Sequence, residues 1–252
     1  MKLFLGVFGA EILKIKRSLA FWLAVLSPFV VVFLQFVIVL DRGETFFSAD
    51  VSSWIRFARQ TTMFWSLLML PLFITLETSL LGAMEHSGQN WKHLFAQPVS
   101  RGMVYSAKQI AAFCLIGLSQ LILVGYIILA GWLLGALKPA LGFKGSIPFT
   151  SILIFAGLSF VSSWFLIALH SWVGMRWKNF AVAIGFGIIM TIAGILVINS
   201  NYANYYPWTL PGVVMNGFRD SGRYLPQLFF GSIGGIVAAM LGGWEFTRRD
   251  VI

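Results

Sequence analysis

The chain has 252 residues, 58% hydrophobic and 11% charged, with 18 basic side chains against 9 acidic ones and a formal charge of +9. A disordered chain needs low hydrophobicity and high charge, and a soluble domain carries about 25% charged residues, so both classes are excluded. A mean hydropathy of +0.84 points instead to a polytopic membrane protein, and the basic excess reads as topology information before it reads as a nucleic-acid footprint.

The first 18 residues are amphipathic. Phe4, Phe8, Ile12, Ile15 and Leu19 recur at helical spacing, while Lys14, Lys16 and Arg17 fall mostly off that stripe. The pattern predicts a helix lying in the membrane interface. Leu19–Leu40 then begins a series of six runs long and apolar enough to cross about 30 Å of hydrocarbon as helices. The others are Thr61–Met84, Gln109–Leu137, Phe149–Met175, Phe180–Ile198 and Leu225–Trp244. The first is too long for the apolar core of a signal peptide and lacks a cleavage site after it. Between the first two runs, Asp41–Gln60 balances three acids with Arg42, Arg56 and Arg59, and Trp54 and Phe57 suggest an interfacial helix.

The segment between the second and third runs, Glu85–Lys108, is the most informative. Glu85–Gln97 can form a short helix with Trp91, Leu94 and Phe95 on one side. Pro98 stops it, because proline lacks a donor and disfavours helix in the preceding residue. Ser100 is placed to cap the next helix. The segment Asn199–Tyr224, before the last run, holds four of the six tyrosines. Tyr202, Tyr205, Tyr206 and Trp208 read as an aromatic belt. Pro207 and Pro211 break helix, and Val213–Phe218 can dip back as a short re-entrant turn.

Eleven of the 18 bases fall on one side when the N-terminus is placed inside, so the positive-inside rule orients the chain N-in and C-in. Glu77 is the only acid within a run, roughly 12 Å from Glu85 along a helix, and a structural bond to a neighbouring span or subunit is its favoured role. His170 is the only histidine within a run, and His86 and His93 do not form a metal pattern. Gly131/Gly135 and Gly231/Gly235 match the G-x-x-x-G spacing that permits close helix approach. Cys114 is the only cysteine, so no disulfide forms within the chain. There is no Gly-Lys pair and hence no Walker A loop, and no catalytic pairing of nucleophile and base. The chain is therefore expected to be no enzyme in itself.

These pieces together resemble a permease subunit of type-2 ABC exporters, the half-size, six-span kind found in antimicrobial-peptide immunity and bacitracin-type resistance. The resemblance rests on Glu11, Lys14, Lys16, Arg17 and Ser18 near the start; on Glu85, Gly88, Lys92, Leu94, Pro98, Val99, Ser100, Arg101 and Lys108 in the inner loop; on Pro207-Trp208 and Leu210-Pro211 outside; and on Phe246, Arg248, Arg249, Asp250 and Val251 at the end. It implies an all-α membrane protein of one permease domain over 1–252, with an interfacial helix over 1–18, six transmembrane helices and a cytoplasmic coupling helix over 85–100. It further implies a separate ABC ATPase in two copies, which binds ATP and Mg while this chain binds no cofactor, a second permease chain, the lipid bilayer of a prokaryotic cell and no nucleic acid. Trp91, Leu94 and Phe95 would then form the docking face, with Glu85 and Lys92 setting its register. A secondary transporter or channel is the alternative, but no internal repeat supports it.

Overall fold

The computed structural model describes residues 2–46, 52–87, 98–218 and 224–248. Helix α1 (Lys2–Lys16) ends at a short break where the Ser18 hydroxyl donates to the Ile15 carbonyl. Helix α2 (Leu19–Phe46) follows and carries Pro28 in its interior. Helix α3 (Ser53–Phe64), a π turn (Trp65–Met69) and α4 (Leu70–His86) form one continuous 34-residue rod. The π turn has a local cause. Pro71 cannot donate to the Leu67 carbonyl, and the Ser66 hydroxyl bonds back to Thr62, so the ladder widens there.

Helix α5 (Arg101–Leu137) is the longest among the described residues, and the turn after it is closed by Gly142 at φ +72°. The fourth apolar run is bent. It divides at Ser163 into α6 (Phe149–Ser162) and α7 (Trp164–Arg176), inclined by 46°. The hydroxyls of Ser162 and Ser163 donate to the carbonyls of Leu158, Ser159 and Phe160, and this competition with the backbone ladder bends the helix. Helix α8 (Phe180–Val197) is capped by Asn179. A short helix, α9 (Leu210–Gly217), precedes the last one, α10 (Leu225–Arg248). Among the described residues, five helices are long and apolar enough to cross a bilayer, or six when the bent α6–α7 pair counts as one span. Among the described residues there is no strand.

The core is built from α2, α4, α5, α6 and α7, with Trp65, Leu70, Ile74, Ile116, Leu123 and Ile167 fully enclosed. Apolar side chains such as Leu121, Ile189, Leu196 and Met240 point outward instead, as they do when lipid is the solvent. Three expectations change here. The first concerns Trp54 and Phe57, which do not lie on an interfacial surface. Both are buried, with Phe143 edge-on to each ring, because α3 continues into the span below it. Second, Trp208 belongs to no aromatic belt, since it is buried 5% exposed, whereas Tyr202 and Tyr205 stay exposed. Third, the apolar stripe Phe4, Phe8, Ile12, Ile15 and Leu19 does not pack as one face: Ile15 is buried beside Glu11, whereas Ile12 and Leu19 are exposed.

Helix crossings depend on glycine. Gly231/Gly235 works as predicted, seating α10 against the α6–α7 bend: a Cβ on Gly231 would lie 2.6 Å from the Ser162 carbonyl oxygen. Gly131 makes room for the Trp54 ring of α3, and Gly135 for the Cβ and carbonyl of Phe143 in the turn after α5, so this pair seats a side chain and a turn rather than a helix backbone. The closest crossing joins α4 to α7 through Gly82 and Gly174, where backbone meets backbone.

Candidate functional site

Four charged side chains meet at the base of the loop between α4 and α5. Glu11 sits on the inward stripe of α1, between Phe8 and Ile15. Glu85 occupies the last turn of α4, and Lys108 lies two turns into α5. The Lys108 Nζ donates to Glu11 Oε2 at 2.8 Å and to Glu85 Oε1 at 2.8 Å. The Lys14 Nζ donates to Glu85 Oε1 at 2.7 Å and to Glu11 Oε1 at 3.1 Å. The tetrad has two acids and two bases, so its net charge is zero.

That balance is why it tolerates burial. The side chains of Lys108, Glu11 and Glu85 are 8%, 9% and 2% exposed, and an isolated ion there would cost several kcal/mol. Alternating charges joined by short hydrogen bonds offset the desolvation and fix the geometry. Burial by itself lowers the Lys14 pKa, but the hydrogen bond to Glu85 and the charges of Glu11 and Glu85 outweigh it, so the ammonium ends above its ordinary value of 10.5. Together α1 and both stems of the α4–α5 loop become one unit.

Of the residues predicted for this site, the structure therefore brings together Glu11, Lys14 and Glu85, with Lys108. Lys16 and Arg17 are exposed and do not join them. Ser100 caps α5 as expected, its hydroxyl accepting from the Met103 N–H at 3.3 Å, so Arg101 opens the helix and Pro98 stands just before it. Gly88, Trp91, Lys92, Leu94 and Phe95 lie outside the described residues. A second clamp, not foreseen from sequence, ties the C-terminal ends of α7 and α10. Arg176 Nε lies 3.3 Å from Glu245 Oε1, and Trp172 Nε1 donates to Glu245 Oε2 at 3.2 Å. Its only signal in sequence was a base and an acid at the ends of two apolar runs.

Deeper in the protein, Glu77 is fully buried and neither carboxylate oxygen has a hydrogen-bond partner among the described residues. His170 is enclosed too, with Nε2 3.4 Å from the Thr75 hydroxyl. Its ring lies 5.4 Å from Trp208 and 5.8 Å from Phe186. The segment carrying Pro207, Trp208 and Pro211 thus plunges into the bundle. Tyr206 donates to the Met190 carbonyl, Thr209 donates to the Ala203 carbonyl, and Pro211 opens the buried helix α9. Gly212 brings α9 against the π turn at Leu67. Among the described residues, no group of three His, Cys, Asp or Glu side chains converges to hold a metal.

The arrangement is mechanical: a rigid charged node at one end, glycine crossings along the rods and a packed aromatic plug at the other. No curated protein and no solved structure matches the chain. The family profile described as ABC-2 family transporter protein matches residues 7–194, about three quarters of the length, which takes in the charged node and the helices it joins. The chain therefore belongs to the ABC-2 family of transporter proteins and is the transmembrane component of an ABC transporter.

Proposed function

We propose that this permease is an exporter subunit that moves an amphiphilic substrate, an antimicrobial peptide, drug or lipid, out of the membrane or cell by alternating access. The six apolar runs are six spans with both termini in the cytoplasm of a prokaryotic cell, and α1 lies along the inner interface. Two such chains and two ATPase subunits form the working unit, with ATP and Mg held by the ATPases. The residues of 85–100 form the coupling helix. The subtype follows from the resemblance to immunity and bacitracin-resistance permeases.

The observation that carries the reading is the charged tetrad. A loop that receives force from a partner is useful only if its stems are stiff. Glu11, Lys14, Glu85 and Lys108 join the stems to each other and to α1, so a push on the loop moves three helices together. ATP energy then enters as a bias between two states of the permease pair rather than as bond chemistry in this chain. Trp91, Leu94 and Phe95 supply the apolar docking face for the ATPase.

The test is co-purification of the ATPase with the permease, together with ATP hydrolysis and export in vesicles. Trp91→Asp and Leu94→Asp, each alone and combined, are expected to release the ATPase and stop export. Unchanged capture of the ATPase by the doubly substituted chain would overturn the assignment.

A further inference from the structure

Two helical rods lose their regular ladder at one level of the bundle. The rod of α3 and α4 carries the π turn Trp65–Met69, and the rod of α6 and α7 is bent at Ser163. The Ser66 hydroxyl lies 2.7 Å from that of Ser159, and the Thr75 hydroxyl lies 3.4 Å from His170 Nε2. These partners are 93 and 95 residues apart, so the two rods run side by side, parallel and in nearly constant register. On that register the π turn stands opposite residues 158–162. That is the turn whose carbonyls, on Leu158, Ser159 and Phe160, accept from the Ser162 and Ser163 hydroxyls.

A single polar bond ties the two breaks. Ser66 gives its one hydroxyl proton to the Thr62 carbonyl at 2.7 Å, so Ser159 donates to Ser66 Oγ. Both serines are buried. Glycines bring two further helices onto the same level. Gly212 of α9 abuts Leu67 in the π turn, and Gly231 of α10 abuts the Ser162 carbonyl. On one side of this level α3, α6 and α9 pack on one another as a cap, with Phe155 edge-on to Phe218. On the other side α4 and α7 cross backbone to backbone at Gly82 and Gly174, and α8 and α10 pack on that body.

An intact helical ladder resists bending, because bending lengthens its hydrogen bonds on one side. Where the ladder is already rewired, few bonds oppose a change of angle. One break in one rod would not free the pair, since the unbroken neighbour would act as a splint. Two breaks face to face let both rods flex together without sliding past each other.

We propose that the π turn and the Ser162–Ser163 bend form one hinge, about which the cap of α3, α6 and α9 rocks relative to α4 and α7, with the Ser159–Ser66 hydrogen bond as its latch. Helices α2 and α5 pass that level as continuous helices and form the wall against which the cap moves. The motion lies within one chain and goes beyond the export reading. It requires neither the ATPase, nor a substrate, nor a particular orientation, so failure of that reading leaves it standing.

Distances between spin labels test this on the full chain. Cys114 is the single cysteine, so Cys114→Ala gives a clean background. Nitroxides are attached at Leu153→Cys with Met240→Cys, a pair that spans the hinge, or at Val182→Cys with Met240→Cys, both on the α4–α7 body. All three positions are exposed. Labelled chain is mixed with excess unlabelled chain in lipid nanodiscs, so that double electron–electron resonance reads distances within one molecule. Leu153 stands roughly 15 Å along α6 from the bend, so a change of about 20° moves it by roughly 5 Å, and the spanning distance should be broader than the body distance by about that amount. Combined Pro71→Ala, Ser162→Ala and Ser163→Ala restores both ladders and should narrow the spanning distance to the width of the body pair. Ser159→Ala removes only the latch and should widen it further; this variant decides the matter if the triple variant does not fold. A spanning distance as narrow as the body distance in the parent overturns the proposal. A broad one that Ser159→Ala leaves unchanged overturns it as well.

Discussion

Replacing Lys108 with Met tests the charged node most sharply. Methionine keeps the linear stem and much of the volume, so the change removes the charge with little loss of packing. Lys108 is 8% exposed and donates two 2.8 Å hydrogen bonds to carboxylates. Without it, Glu11 and Glu85 face only Lys14, whose side chain is 38% exposed. Breaking a buried ion pair by deleting one partner costs about 3–5 kcal/mol. Deleting Lys14, at the water-facing edge, costs about 1 kcal/mol or less because solvent screens it. The two variants should therefore differ by about 3 kcal/mol, roughly 6–12 °C in melting temperature for a chain of this size. Intrinsic fluorescence from the 10 tryptophans follows the melt of the purified chain. A double-mutant cycle with Glu85→Gln should give a coupling of roughly 2–3 kcal/mol. If Lys108→Met melts no lower than Lys14→Met, the node is not what joins these helices.

Other outcomes follow from the same contacts. The stabilisation from Lys14 is complete below its unfolded pKa of 10.5 and is lost as pH climbs past its raised folded value, so the melting difference between the parent and Lys14→Met should stay constant near neutral pH and shrink above pH 10.5. Gly82→Val should abolish the native fold, because the added atoms overlap the Gly174 backbone; a folded chain by circular dichroism and size-exclusion would refute the α4–α7 crossing. Trp208→Ala should cost roughly 3–5 kcal/mol by emptying the space between Tyr206, Phe186 and His170, and a melt within 1 °C of the parent would refute that packing. Glu77→Met should raise the melting temperature, since it removes a buried carboxyl that has no hydrogen-bond partner among the described residues. A lower melting temperature would mean that Glu77 makes a stabilising contact.

Much of the fold is legible in the sequence because transfer from water to hydrocarbon is nearly additive over neighbouring residues. Phe180–Ile198 agrees with its helix to one residue, Leu19–Leu40 has the right start but ends six residues early, and Ser100 marks the start of α5 by its own hydroxyl. The bend at Ser163 was missed because a serine pair inside an apolar run reads as harmless filler, whereas its hydroxyls rewire the local ladder. Hydrophobicity alone groups Ile12 with Phe8 and Ile15 on one face of α1, yet the face that packs against the bundle carries Glu11. Glu11 is tolerated there because Lys108, 97 residues away, supplies the counter-charge.

The sequence by itself determined that the chain is helical, apolar and basic overall, since these are properties of short windows and of summed charge. It also named the members of the inner node individually. Only the tertiary structure decided that Glu11, Lys14, Glu85 and Lys108 form one neutral cluster, that Trp208 lies against His170 instead of at the surface, and that Gly82 rather than Gly131 carries the closest helix crossing. The physical reason is common to all three. The cost of burying a charge, an indole or a bare backbone depends on what stands opposite, and that partner comes from a different helix.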